Sequence, residues 1–241
     1  MGSTRIGTAG WSIGREAADR FPPVGSSLER YSAVFDAVEI NSSFHRPHRV
    51  STWERWRDSV PAGFHFSVKV PKRITHELKL ADHEEALATF LAEVGALGEK
   101  LAVLLVQLPP KLALDPQVAR AFFTDLAVRS HAAIACEPRH QSWFTDEADA
   151  LLAGLRVARV AADPARHPGA GEPGGWSGLA YWRLHGSPVM YRSSYHDRIA
   201  AYASTIDEAA RTGSAAWCIF DNTASSAAMG DALELKDASG A

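Results

Sequence analysis

Short apolar runs recur along the chain at intervals that leave room for a helix between them. They fall at about 4–9, 36–41, 64–70, 101–108, 132–137, 156–162, 179–185 and 216–221. Most are rich in Val, Ile or aromatic residues, as strands covered on both faces should be. Helical spacing separates them, at 26–35, 51–60, 82–97, 115–130, 146–153, 195–212 and 224–233. In 82–97, Ala86, Leu87, Phe90, Leu91, Val94 and Leu97 share one face. Asp115-Pro116 opens the next helix with a cap and a proline at the first helical position. Ser27 and Ser51 are expected to cap the first two. Strands alternating with helices predict an α/β chain folded as a TIM-barrel-like (β/α)8 barrel.

One crossover departs from the scheme. Residues 164–178 carry so many Pro and Gly residues that an ordinary helix is disfavoured, so the barrel is expected to be irregular at the sixth crossover. Loop lengths are lopsided elsewhere. Helix-to-strand links such as Pro61-Ala62-Gly63, Gly98-Glu99-Lys100 and Gly213-Ser214 are short. The strand-to-helix links at 42–50, 71–81, 138–145 and 186–194 are long, polar and aromatic. Barrel enzymes build their sites from that second set. The 241 residues suit a single domain over 1–241, with 236–241 expected as a frayed tail.

Nearly every apolar run ends in side chains that can do chemistry. Successive strand side chains alternate, so Glu39 shares a face with Asn41 and Ala37, and Lys69 with Ser67. Glu137 shares one with Ala135 and Ala133, Arg183 with His185, and Asp221 with Ile219. These groups would converge at one rim, while Ile40, Val68, Val70, Cys136, Leu184 and Phe220 face the helices. Glu39 and Glu137 are candidates for a general acid and base, with Lys69, Arg183 and His185 tuning them. Hydrolase, lyase and isomerase chemistry on a small polar, anionic molecule all fit that set. The competing reading is a structural network in which Glu39, Lys69, Glu137 and Arg183 neutralise one another. Lys69 lies where a Schiff-base lysine can lie, but carboxylate neighbours are expected to hold it protonated and unreactive.

A divalent metal between Glu39, Glu137, His185 and Asp221, with Asp163 added, suits the ligand types, although Lys69 and Arg183 oppose it. No paired-His or paired-Cys spacing assigns a metal ligand, and no cofactor fingerprint is present: Gly7-Thr8-Ala9-Gly10-Trp11 is a glycine turn, not a dinucleotide or phosphate loop. The loops add His45, Arg46, His48, Arg49, Lys72, Arg73, His76, Arg139, His140 and Arg192, interleaved with Trp11, Phe44, Trp143, Phe144, Tyr191 and Tyr195. Cations beside stacking platforms suit an anionic ligand, for which Trp11, Asn41, Phe44, His76, Gln107, Arg139, Arg183, Tyr191, Asp221 and Asn222 are the binding candidates. The same loops make a single-stranded nucleic-acid-binding or nucleolytic module the alternative. No Gly-x-Ser-x-Gly elbow supports a serine hydrolase.

Bulk properties narrow the field. Lys and Arg total 25 against 28 Asp and Glu, a net charge of −3 that argues for neither nucleic-acid nor membrane binding. No apolar stretch approaches the roughly 18 residues that span a bilayer. Residues 1–8 lack the pattern of a secretory leader. Cys136 and Cys218 lie in separate apolar runs and read as reduced core thiols, so a cytoplasmic location is expected. Oligomeric state leaves no signature.

Several strings together resemble one family. They are Gly7-Thr8-Ala9-Gly10-Trp11, Val38-Glu39-Ile40-Asn41-Ser42-Ser43-Phe44, Phe66-Ser67-Val68-Lys69-Val70-Pro71, Thr75-His76 and Val106-Gln107-Leu108-Pro109-Pro110. Glu137-Pro138-Arg139-His140, Arg183-Leu184-His185-Gly186 and Phe220-Asp221-Asn222-Thr223 complete the set. In these the chain resembles the YecE-like domain-of-unknown-function family, number 72 in that series, over nearly its whole length. The resemblance implies a TIM-barrel-like fold and no particular reaction. The family pattern has a Tyr where this chain has His45, which alters one wall of the expected pocket.

Overall fold

Strands and helices alternate through residues 2–239, the span described by the computed structural model. The strand segments are β1 (Thr4–Thr8), β2 (Ala37–Ile40), β3 (His65–Lys69), β4 (Leu101–Gln107) and β5 (Ala133–Glu137), then β6 (Val157–Arg159), β7 (Ala161–Asp163), β8 (Gly174–Gly175), β9 (Leu179–Leu184) and β10 (Ala215–Phe220). The helices are α1 (Ser27–Ser32), α2 (Ser42–His45), α3 (Val50–Asp58), α4 (Glu84–Val94), α5 (Pro116–Arg129), α6 (Asp146–Gly154), α7 (Ile199–Arg211) and α8 (Ala227–Ser239). Every expected apolar run contains a strand. Residues 236–239 are not a frayed tail but the last turn of α8, where Leu233 and Leu235 tie the helix down. Residues 240–241 of that expected tail lie outside the described residues.

Among the described residues the strands form a four-stranded sheet, ordered β1-β10-β9-β7, and a six-stranded one, ordered β2-β3-β4-β5-β6-β8. All the pairings are parallel except β6 with β8. This is a TIM-barrel-like mixed α/β fold. The sheets approach at two seams. The expected sixth strand divides at Val160: β6 pairs with β5, while β7 pairs with β9. At the other seam Ala9 bridges Glu39, and the Gly10 amide donates to the Glu39 carbonyl at 2.8 Å. Gly7 permits this approach, because a Cβ there would lie 2.3 Å from the Ala37 carbonyl oxygen.

Side-chain alternation creates two apolar layers. One joins strands to helices and includes Ile40, Val68, Cys136, Leu184 and Phe220, all on the expected outer face. The other lies between the sheets and is made of Ala37, Val103, Leu105, Ala135, Ala158, Val160, Leu179, Tyr181, Trp217 and Ile219. A register shift lets β4 skip Ala102 against β3, so Ser67 pairs with Val103 and Lys69 with Leu105. Without that bulge, the Lys69 face would sit opposite outward side chains.

The sixth crossover holds no helix, as its glycines and prolines predict. Arg159 holds it in place, donating to the Gly169 carbonyl at 2.8 Å and to both Asp149 carboxylate oxygens. Cap positions differ by one or two residues: Ser26, rather than Ser27, caps α1 through a capping box, and α3 starts at Val50 with no side-chain cap from Ser51. Asp115 caps α5 as expected. Single helical turns at 73–77, 141–143 and 223–225 lie in the strand-to-helix links, too short to show a period in the sequence.

Candidate active site

Arg183, at the end of β9, is the hub of the interior polar cluster and is fully buried. Its Nε donates to Glu39 Oε2 at 3.0 Å and its Nη2 to Glu39 Oε1 at 2.7 Å, a two-pronged pair. Nη1 donates to Glu137 Oε2 at 2.5 Å, and Nη2 also reaches Asp221 Oδ2 at 2.9 Å. One guanidinium from the four-stranded sheet thus gathers carboxylates from β2, β5 and the end of β10. The planar fork makes this possible, since a lysine could not hold three carboxylates in fixed directions. Burial penalises its charge, but Glu39, Glu137 and Asp221 together hold its pKa well above the ordinary arginine value.

The remaining carboxylate valences are also filled. Glu137 Oε1 accepts from Gln107 Nε2 at 3.0 Å and from Arg139 Nε and Nη2 at 3.1 and 3.0 Å. Burial works to raise Glu137, yet Arg183 and His185 keep it well below the usual carboxylate range. Tyr181 lies 2.9 Å from both Glu39 Oε2 and Ser67 Oγ; its one proton serves the glutamate, and Ser67 donates in turn. Asp221 is likewise held low, burial being outweighed by Arg183 and His185.

His185 closes the cluster. Its Nδ1 is 3.0 Å from Asp221 Oδ2, and Nε2 is 3.3 Å from Glu137 Oε1, close enough for charge but not aligned as a hydrogen bond. Burial disfavours the imidazolium, but Glu137 and Asp221 together raise its pKa. Asn41 donates to Asp221 Oδ1 at 3.4 Å, and its own Oδ1, like His185 Nε2, is buried with no hydrogen-bond partner. Buried polar atoms of this kind are few in native proteins.

Lys69 lies near the expected carboxylates but pairs with none of them. It is 8% exposed, at the end of β3, and among the described residues its Nζ makes no hydrogen bond or ion pair. Arg183 has taken the carboxylates that were expected to hold it. The ammonium instead sits 4.2 Å over the Phe44 ring. Burial first, and then the Arg183 charge, push its pKa down to about 8 against the pull of Glu39, Glu137 and Asp221.

The loop residues divide. Phe44 and His76 meet edge to face at 5.0 Å, and burial together with the Lys69 charge lowers the His76 pKa. His45 is exposed, its ring 5.0 Å from that of Phe44, and lines a cavity of about 690 Å³ between the 43–53 and 71–93 segments. Tyr191 packs edge-on to His185 at 5.8 Å and supports the Arg139 charge. Trp11, by contrast, joins Trp53, Trp56 and His48 in an aromatic cluster beside α3. Asn222 points its amide nitrogen at Asp231 Oδ2, 2.6 Å away in α8, and at the Ser193 carbonyl. Asp163 is turned outward onto Arg198, Tyr195 and Tyr202. Among the described residues no three His, Cys, Asp or Glu side chains come together as metal ligands, because the carboxylates are turned onto Arg183. Both cysteines are buried thiols whose pKa burial raises.

Two residues of the site carry signals that were open to sequence reasoning or absent from it. Tyr181 shares a face with Arg183 and His185 by the same alternation, so its place was readable. Asp231 was not: a lone acid in an apolar helix gives no hint that it binds Ser194 Oγ, the Tyr195 amide and Asn222.

The sequence pattern of the family described as "Protein of unknown function DUF72" matches residues 5–241. The UPF0759 protein YecE of Escherichia coli K12 is 27% identical over 137 residues, which is 56% of this chain and 50% of YecE. The chain thus spans about half the length of that relative in the match. A solved DUF72 family protein from Enterococcus faecalis V583 superposes with a TM-score of 0.82 at 20% identity, over 99% of this chain and 96% of that one. Another, from Thermotoga maritima MSB8, gives 0.79 at 22% over 98% of both. At such identities these structures speak for the fold. Among the described residues no helix is long and apolar enough to cross a membrane.

Proposed function

This chain belongs to the family described as protein of unknown function DUF72, and on that premise we propose that its strand-end cluster is the active site of an enzyme acting on a small, polar, anionic molecule. The two sheets close at the Val160 and Ala9–Glu39 seams into one eight-stranded barrel domain, with the cluster at its C-terminal mouth. The observation that carries the reading is Lys69, a buried amine left without an acid beside three carboxylates. A cation held that way costs stability, and such sites are where function is found.

The roles follow from which groups still have free valence. Glu39 and Glu137 have every oxygen engaged, so they position Arg183 and His185 rather than exchange protons themselves. Lys69 takes a proton or attacks, because near pH 8 it exists in both forms. His185, oriented by Asp221 through Nδ1, offers Nε2 as the acid. Arg139, Gln107 and Asn41 surround the carboxylates and bind the anionic substrate, with Phe44 against Lys69 and Tyr191 against His185.

Thermal unfolding with a panel of small phosphates, carboxylates and their neutral analogues tests this at fixed ionic strength. The anions should raise the midpoint of the native protein, and Lys69→Met or Arg139→Met should abolish the rise. No effect of any anion, or a rise with single-stranded oligonucleotides that fades as salt increases, would contradict it. The nucleic-acid alternative has less support: Lys72 and Arg73 pair with Glu77, and Glu85 and Glu93 line the groove beside them.

A further inference from the structure

Three features surround the Lys69 amine that simple anion binding does not require. First, if position 69 needed only a positive charge, an arginine would keep its proton under burial, whereas a lysine loses it readily. Second, the neighbouring positive charge is Arg183, while the nearby carboxylates are clamped by Arg183 and do not touch Nζ. Third, the ring of Phe44 covers the amine from one side and keeps water off it. Desolvation and an adjacent cation are the two devices that turn a lysine into a nucleophile toward carbonyl carbon.

We propose that Lys69 forms an imine with the carbonyl carbon of its substrate, so that the site takes a small 2-oxo acid or an aldehyde carrying an anionic group. The inference rests on the reading of the barrel mouth as an active site. The neutral Nζ attacks the carbonyl carbon, forming the C–N bond as the C=O π pair moves to oxygen, and that oxygen takes up the proton the nitrogen gives up, leaving a neutral carbinolamine. The C–O bond then breaks as the nitrogen lone pair closes the C=N bond. The departing hydroxyl leaves as water with a proton from His185 Nε2, which has no hydrogen-bond partner of its own. One amine, one carbonyl and one proton become a protonated imine and one water, with no change of oxidation state. His185 suits that acid role because Asp221 fixes its other nitrogen and Glu137 favours the imidazolium. Arg139, beside Glu137, is the cation placed to hold the substrate's carboxylate.

The experiment uses the full chain with glyoxylate or pyruvate and borohydride, which reduces an imine to a stable secondary amine, followed by peptide mass mapping. The expected result is one adduct, heavier than the protein by the acid less one oxygen atom, on Lys69. It should form at least tenfold faster than adducts on Lys72, Lys79 or Lys111 and vanish in Lys69→Met and Lys69→Arg. His185→Gln should slow it while leaving the fold, followed by circular dichroism, intact. Labelling spread over surface lysines with Lys69 spared overturns the imine. The thermal panel run in the same buffer separates the two levels. Anions that still stabilise the native protein leave the active-site reading standing without the imine, and no stabilisation removes both.

Discussion

The Lys69 ammonium rests 4.2 Å above the centroid of the Phe44 ring and among the described residues touches no acid, although Glu39, Glu137 and Asp221 all act on its charge. The arrangement follows from a competition that Arg183 wins. A guanidinium can satisfy three carboxylates at once with directed donors, and an ammonium cannot match that geometry. What remains for Lys69 is a weak cation–π contact in a desolvated corner, worth about 0.5–2 kcal/mol.

Removing the charge should therefore strengthen the fold. The fall from 10.5 to about 8 corresponds to about 3 kcal/mol of penalty on the charged form, as an upper figure. The folded pKa lies below the unfolded one, so between those values the unfolded chain binds more protons and native stability rises with pH. Lys69→Met should be more stable than the native protein by about 1–3 kcal/mol at pH 7. Denaturant unfolding should show that advantage shrinking as pH climbs from 8 to above 10. A variant that is less stable at pH 7 would mean that the amine is well solvated or paired.

Arg183→Met should have the opposite effect. It leaves three buried carboxylates with no central partner, and breaking a buried pair costs about 3–5 kcal/mol. For a chain of this size the unfolding midpoint should fall by roughly 10 °C. Arg183→Lys should recover only part of the loss, because it lacks the fork. Acid should mimic the lesion. Glu137 and Asp221 have folded pKa values below their unfolded ones, so their contribution is present above the ordinary carboxylate range and lost as pH falls through the folded values.

Asp231 should matter to the mouth although it lies in α8. It accepts from Ser194 Oγ at 2.5 Å, the Tyr195 amide at 3.0 Å and Asn222 at 2.6 Å, and so anchors the loop that carries Tyr191 over His185. Gly186 lets that loop turn back, with φ of +94° and no room for a Cβ, which would lie 3.0 Å from the Val189 carbonyl oxygen. Asp231→Ala strips three donors of their acceptor, two of them buried, and should cost about 1–3 kcal/mol. Amide exchange should rise across 186–195 and stay unchanged in β2 to β5. Uniform protection would show that the loop is held by other contacts.

Much of this was legible in the sequence. Strand positions came from the apolar runs, and strict alternation placed Glu39, Lys69, Glu137, Arg183, His185 and Asp221 on one face. Which charge pairs with which was not legible, because the pairing joins β9 to β2, β5 and the end of β10 across the interior, and no local spacing encodes it. That is why Lys69 reads as acid-paired in the sequence and is acid-free in the fold. Asp163, the last residue of β7, shares a face with Ala161, which packs on the helix side, so its side chain turns to Arg198; Asn222, one residue past the inward Asp221, turns to α8. Trp11 is drawn away by Trp56, whose ring lies 5.2 Å from it.

The most direct measurement is the titration of Lys69 itself, by the pH dependence of competitive labelling of its amine, read peptide by peptide with Lys111 as an internal surface reference. The account predicts a midpoint near 8 for Lys69 in the native protein. A native midpoint at or above 10.5 would contradict it, since Lys69 would then be an ordinary protonated cation with no reason to react.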